Sequence, residues 1–498
     1  MNSLKNFFAL GINKFKSTYQ RLGKKAMIAL FILAAVDVFV IAAPYYIRLI
    51  FPNVHTILHV TESEFDSFIA AVGWVTLITQ LPGGWLTDKV SSKKLTALAS
   101  FTTGLLTLWW ATLILTSPNP TAEVAGGQLK SSTATLTQYY LIYIGWGVSS
   151  TMIFWTPLWK LVSQQAKKED QGLSYGVQGT WNGLIGIAII FIAGIIFQVI
   201  AQNVLAVDPE TGVRPEWNPG YALYAYWVAA FLLLTSFAIL KWVPEYTTKE
   251  KFALSFKNMW LVLKSARIWL DAFFVMGMYM FQSVFAYYLL QYMKNVGIAA
   301  VGTPAIVLVV IGGIRTYVLR FVISTPTGRL ADKAKSYIHT LIIVLGVGFI
   351  VAAIFLALPG TGDFKDLPRD YQIALIPIFI ILYLIVGGIS WIMVTLRYAT
   401  IGELPVPKKS YASTNALISF VAFSPDAWFY TASAAIGKNY TIAGSSNTSQ
   451  QGYSIIILFA LGVAIFGWIC GVVLFFWNRY EIKKLKKDSY RWRTLENV

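Results

Sequence analysis

Apolar runs of about twenty residues recur from one end of this chain to the other, and no soluble fold hides that many. A helix rises about 1.5 Å per residue, so each run is long enough to cross a hydrocarbon layer of roughly 30 Å. Inside such a layer every backbone N–H and C=O must be satisfied within its own segment or by a closed barrel. Runs of this length select helices. The runs fall at about 26–50, 65–87, 94–116, 137–163, 172–201, 220–242, 268–293, 301–328, 337–358, 371–399, 411–437 and 453–478. Hydrophobic residues make up 56% of the chain and charged residues only 13%, against roughly 25% charged in a soluble protein. The fold class expected is an all-α membrane protein of twelve transmembrane helices.

Polar or Gly/Pro-rich stretches separate the runs, and the most charged central one, 243–267, divides them six and six. The organisation read from this is a basic N-terminal segment 1–25, a six-helix bundle 26–242, a linker 243–267, a second bundle 268–478 and a basic tail 479–498. Segment 1–25 reads either as an amphipathic surface helix or as a disordered tail. The first run is too long for a signal-peptide core, and no small-residue cleavage site ends it. Cys470 is the only cysteine, so no intrachain disulfide is possible. An even number of spans puts both termini on one side. That side carries 29 of the 40 lysines and arginines, whereas the opposite loops hold six. By the positive-inside rule the termini are expected in the cytoplasm of a plasma (inner) membrane. The net charge of +17 then reports topology, and no nucleic-acid partner is expected.

A repeated motif relates the two bundles. The second run ends Pro82-Gly83-Gly84-Trp85-Leu86-Thr87-Asp88-Lys89, and the eighth ends Pro326-Thr327-Gly328-Arg329-Leu330-Ala331-Asp332-Lys333. The shared pattern P-x-G-x-L-x-D-K recurs 244 residues later at the same place in each half, as parallel internal repeats of a transporter require. The glycine permits close approach of a neighbouring helix. The aspartate can meet a helix N-terminus and nearby bases. Gly84, Asp88, Lys89, Gly328, Asp332 and Lys333 are therefore the candidates for a cytosolic gate.

At these residues the chain resembles the major facilitator superfamily, whose signature between helices 2 and 3 reads G-x-x-x-D-[RK]-x-G-x-[RK]-[RK]. Gly84, Asp88, Lys89, Lys93 and Lys94 match it, and Ser91 stands where the second glycine would be. The resemblance implies two pseudo-symmetric six-helix bundles rocking about a central cavity, in a protein that works as a monomer.

Charges inside the spans mark candidate working residues, because a charge in hydrocarbon is costly unless it faces a cavity or a partner. Asp37 and Arg320 each lie about 18 Å from the cytosolic boundary by helical rise. Lys160 and Arg397 lie shallower, in corresponding places of the fourth and tenth runs. Arg48 and Arg315 fall near the external edge, where Arg48 is expected to snorkel to the headgroups. Asp271 is expected to pair with a local base, and Asp426 either serves structure or compensates a buried arginine. Five cations against three acids within the spans point to an anionic ligand, since a guanidinium fork suits carboxylate or phosphate. Gln178 and Asn182 lie four apart on one helical face, suited either to substrate hydroxyls or to bonds between helices.

The stretch from Asp37 through Ala42-Ala43-Pro44, with Gln80 to Asp88, looks like the anion:cation symporter branch, although Val38 stands where that branch has arginine. Trp155 to Lys160 with Gly172 to Asn182 looks like the organophosphate:phosphate antiporter branch. The function expected is secondary active transport of a small organic anion such as a sugar phosphate or uronate, by proton coupling or exchange. Asp37 is the expected proton-coupling site, and Lys160, Arg320, Arg397, Gln178 and Asn182 the expected substrate contacts. A multidrug or neutral-solute exporter of the same superfamily stays open, as does a non-transporting receptor or scaffold. An enzyme is not expected: the three histidines, His55, His59 and His339, form no cluster with Cys or Asp, and no phosphate-cradling glycine loop occurs. No cofactor or metal is implied.

Overall fold

The structure is a computed structural model that describes residues 2–46, 48, 54–116, 122–124, 128–166, 171–203, 219–246, 256–293, 305–331, 334–358, 368–406, 411–442, 447–487 and 490. Twelve helical runs cross the molecule. In the first half, α1 is Asn2–Ile41 continued by a π-helical turn Ala42–Tyr46, α2 is Glu62–Lys89 and α3 is Ser92–Thr116. Run α4 (133–164) and run α5 (171–203) each contain a π-helical turn, Thr151–Trp155 and Gly186–Phe191, and α6 is Pro219–Trp242. The second half has α7 (266–293), α8 (305–331, with a π-helical turn Ile314–Val318), α9 (Tyr337–Ala357), α10 (369–403), α11 (411–439) and α12 (Gln450–Lys484). Eight of these are long and apolar enough, over described residues, to cross a membrane on length and composition. A two-stranded exception to the all-α pattern is the antiparallel pair β1 (Ala122–Val124) and β2 (Gln128–Lys130) between α3 and α4.

Sequence dictates where these helices begin. Thr61 caps α2: its hydroxyl accepts from the Glu64 N–H at 3.1 Å while its own N–H donates to the Glu64 carboxylate at 2.9 Å, a capping box that satisfies two orphan donors. Ser132, Ser336 and Ser449 cap α4, α9 and α12 in the simpler way. In α1, Gly23 breaks the helical conformation with φ of 80°, a left-handed value that favours glycine. Segment 2–22 is helical.

Two faces of the molecule are set apart by their loops. On the side away from the termini, Ser131 N–H donates to His59 O at 2.9 Å, and Thr448 N–H donates to Glu62 at 2.7 Å. On the terminal side, Glu245 takes the N–H of Ser92 at 2.6 Å and the hydroxyl of Ser91, which holds the start of α3. Glu403 does the same for α9 through Ser336 Oγ at 2.7 Å and the Tyr337 N–H. Ser91, the departure from the glycine signature, is thus an N-cap with its own partner. A helix N-terminus carries partial positive charge, so a carboxylate is well placed there.

The halves meet along two seams. Helix α2 packs on α11 through Gly73, where an added Cβ would sit 1.9 Å from the Asp426 carbonyl oxygen. Helix α5 packs on α8, where a Cβ on Gly186 would lie 2.2 Å from the Tyr317 ring and one on Gly313 would lie 2.0 Å from the Phe191 ring. Small residues allow such approach where no aqueous hydrophobic effect drives helices together. Outward-facing apolar side chains such as Phe237, Ile343 and Phe476 suit a lipid surround.

Candidate functional site

Between the halves, one polar chain links both. Asp37 on α1 is 1% exposed, and its Oδ2 accepts from Gln178 Nε2 at 2.8 Å and Asn182 Nδ2 at 2.7 Å, both on α5. Asn182 then accepts from Arg320 Nη1 on α8 at 2.9 Å. The i, i+4 spacing aims both amides at one carboxylate, so in this conformation Gln178 and Asn182 hold helices together. Asp37 Oδ1 makes no hydrogen bond among the described residues. The guanidinium of half-exposed Arg320 lies 5.2 Å from the centre of the Trp391 ring on α10.

The other two expected substrate contacts lie apart from this chain. Half-exposed Lys160 on α4 donates to the Thr87 carbonyl of α2 at 3.2 Å, which ties it to the repeated motif. Arg397 on α10, also half-exposed, donates to Gln282 Oε1 on α7 and lies 5.2 Å from both the Tyr398 and Phe423 rings. Gly84, Asp88 and Lys89 lie in the last turns of α2 and Gly328 in the last turn of α8, but the surroundings of their side chains lie outside the described residues. Asp332 and Lys333 lie outside them entirely. Within the motif the close approach that is described belongs to Gly83, whose added Cβ would meet the Met152 carbonyl oxygen at 2.7 Å, in the π-helical turn of α4.

Several expectations about charge need correction. Arg48 does not snorkel: it is 3% exposed, donates from Nη2 to the Tyr430 hydroxyl at 3.0 Å, and sits 4.8 and 4.7 Å from the ring centres of Tyr287 and Tyr430. Arg315 is likewise buried and donates to the Phe281 carbonyl at 2.7 Å. Asp271 has no base beside it among the described residues; it accepts from Thr400 Oγ1 at 3.0 Å. Asp426 accepts from Tyr279 at 2.6 Å and Ser283 at 3.1 Å, in the field of Arg48, as a compensating acid would.

Sequence reading missed three buried acids. Glu62, Asp66 and Glu403 are 3%, 4% and 0% exposed, so the apparent surplus of cations within the spans does not persist. Helix α2 starts at Glu62, three residues earlier than the apolar run 65–87, and Asp66, the second residue of that run, was left out of the count of acids. The capping box Thr61-x-x-Glu64 was the signal that could have placed that helix start.

Comparison with known proteins agrees with this architecture. A family model described as Major Facilitator Superfamily matches residues 26–429. An uncharacterised protein of Mycoplasma pneumoniae, described as the MG294 homolog, is 44% identical over 492 residues, covering 97% of this chain and 98% of its own. The inner membrane protein YihN of Escherichia coli is 24% identical over 312 residues, 61% of this chain and 67% of its own. Among solved structures, a variant of the nucleoside transporter NupG superposes with a TM-score of 0.61 at 13% identity, over 90% of this chain and 100% of its own. A bacterial homolog of the human lysosomal transporter Spinster, inward-facing and unoccupied, gives 0.60 at 9% identity, over 90% and 96%. At such identities the likeness is one of fold.

Proposed function

The chain belongs to the major facilitator superfamily, and we propose that it is a secondary active transporter of a small organic anion, driven by protons or by exchange. The observation that carries this reading is the Asp37–Asn182–Arg320 chain between the halves. An anion that takes the Arg320 guanidinium competes with Asp37 for the same positive charge. Protonation of Asp37 removes that competition, so proton and anion binding favour each other, and such coupling is reciprocal. Lys160 and Arg397 flank the route toward the terminal side, and their hydrogen bonds to the Thr87 carbonyl and the Gln282 amide oxygen are ones that a carboxylate or phosphate can displace. Gln178 and Asn182, released from Asp37, then offer amides to the ligand. The terminal side is the cytoplasm by the 29-to-6 distribution of bases, and the repeated motif gates it.

Uptake into proteoliposomes under an imposed proton gradient tests this, with sugar phosphates, uronates and dicarboxylates as competitors. Arg320→Gln is expected to lower kcat/KM for the anion at least about tenfold, the loss of one charge-assisted bond of about 1.4 kcal/mol or more. Asp37→Asn is expected to abolish proton-driven accumulation while leaving counterflow exchange. Proton-driven accumulation that survives Asp37→Asn refutes the coupling role. Transport of a neutral solute unaffected by Arg320→Gln establishes the neutral-solute reading instead.

A further inference from the structure

On the side away from the termini, the hydrogen bonds of the α1–α2 connection sort by which half supplies the partner. A short helix, Val54–Ile57, opens this segment, and the Val60 N–H returns to the His55 carbonyl at 3.1 Å. His59 stands between them with φ of 51°, the left-handed value that such a helix end uses and that glycine usually supplies. A residue with a side chain keeps that conformation where its surroundings fix it. Val54, His55, Leu58, His59 and Val60 are all buried. Ser131, ahead of α4, binds the turn twice: its N–H donates to the His59 carbonyl at 2.9 Å and its hydroxyl to the Leu58 carbonyl at 2.7 Å. Both partners belong to the first half, so parting the halves leaves these bonds intact.

Other contacts cross to the second half. His55 Nε2 lies 3.1 Å from Asn447 Oδ1. Glu62 accepts the Thr448 N–H at 2.7 Å and the Tyr453 hydroxyl of α12, and Ser63 Oγ donates to the Ala434 carbonyl at 2.6 Å. Asn447 and Thr448 belong to the turn between α11 and α12, where Thr441 and Thr448 form a β-bridge and the Ser449 N–H returns to the Tyr440 carbonyl at 2.8 Å. Glu62 lies in the first turn of α2, and Ser449, next to Thr448, caps α12. Its carboxylate therefore stands at the N-termini of two helices, one from each half. Each such end carries partial positive charge, and the bonds Glu62 accepts are of the stronger, charge-assisted class. At 3% exposed, Glu62 is shielded from water that would compete for them.

We propose that segment 54–62 is a lid carried by the first half, and that it latches onto the α11–α12 turn with Glu62 as its catch. Two helix N-termini from opposite halves repel when brought side by side, and the carboxylate between them converts that repulsion into attraction. Opening on this side has to free Thr448 and Tyr453 from Glu62, and Asn447 from His55. Ser131 meanwhile keeps the lid in shape on the first half. The latch depends neither on which solute is carried nor on the Asp37–Asn182–Arg320 chain.

Cysteine labelling tests it without a substrate. Ser433→Cys, at a fully buried position of α11, is placed in a Cys470→Ser background in liposomes, and a membrane-impermeant maleimide is added on this side. Only opened molecules react, so the labelling rate follows the open population. Glu62→Ala is expected to raise the rate at least about tenfold, as loss of a charge-assisted bond does, and Asn447→Ala about threefold, as loss of a neutral one does. Tyr453→Phe, which removes a single hydroxyl and leaves the helix packing alone, is expected to speed labelling in the background protein. It is expected to add nothing in Glu62→Ala, because both changes break the same contact. Ser131→Ala, whose bond lies within the first half, is expected to keep the background rate. Background rates in Glu62→Ala and Asn447→Ala overturn the proposal, as does a full effect of Tyr453→Phe in Glu62→Ala. Labelling of Ser131→Ala as fast as that of Glu62→Ala also overturns it, since the lid would then fray alone without the halves parting.

Discussion

A guanidinium between two tyrosine rings can be buried at modest cost, because the ring faces are negative and the cation is weakly hydrated. Arg48 uses Tyr287 and Tyr430 in this way while lying in the field of Asp426 and Asp66. Removing it leaves those groups without their cation. Arg48→Leu is therefore expected to destabilise the protein by about 3–5 kcal/mol, the scale of an orphaned buried charge, read as a lower unfolding midpoint in detergent. A midpoint unchanged from wild type shows that the acids carry protons enough not to need it. That Asp37 and Arg320 lie within helical runs was legible in the sequence, because the length of the apolar runs alone sets it. The burial of Arg48 was not, since it depends on Tyr287 and Tyr430, which lie more than two hundred residues along the chain. Asp66 escaped notice for another reason: a start judged from apolar residues puts its carboxylate at the water boundary, whereas the cap at Thr61 puts it inside.

The helices themselves were readable to within a few residues, since span length and polar connections are both written in composition. The π-helical turns were not, because one extra residue per turn leaves hydropathy unchanged. Such turns are frequent at functional sites, and here two of them meet: Gly186–Phe191 of α5 and Ile314–Val318 of α8. Gly186 receives Tyr317, and Gly313, just before the second turn, receives Phe191. This reciprocal fit defines the seam between α5 and α8. Gly186→Val places branched carbons where the Tyr317 ring lies, and overpacking of this kind costs about 1–3 kcal/mol. The expected outcome is normal membrane insertion with a marked loss of transport rate. Wild-type rates in that variant would show that the seam yields at no cost.

At the scale of the whole molecule, the closed seam between α2 and α11 and the half-exposed cations nearer the termini describe a protein shut on one side. The repeat makes this geometry intelligible, since parallel halves related by an axis along the membrane normal set the second helix of each half against the fifth of the other. If transport requires that seam to open, then locking it must stop the cycle. Position 437 offers the lock: a Cβ built on Gly437 lies 3.8 Å from Ser63 Cβ, within the 3.5–4.5 Å range of disulfides. The added atom also comes 3.1 Å from Thr448 Oγ1, a contact a side chain can relieve by rotation. In a Cys470→Ser background the chain has no other thiol, so any bond formed is the intended one. Ser63→Cys with Gly437→Cys is expected to abolish transport on oxidation and recover it on reduction, while each single variant transports in both conditions. Solute bound from the terminal side is expected to remain accessible in the oxidised protein, because only the opposite side is tied. Transport that continues through the oxidised pair would mean that α2 and α11 stay together throughout the cycle, and that opening on this side uses another seam.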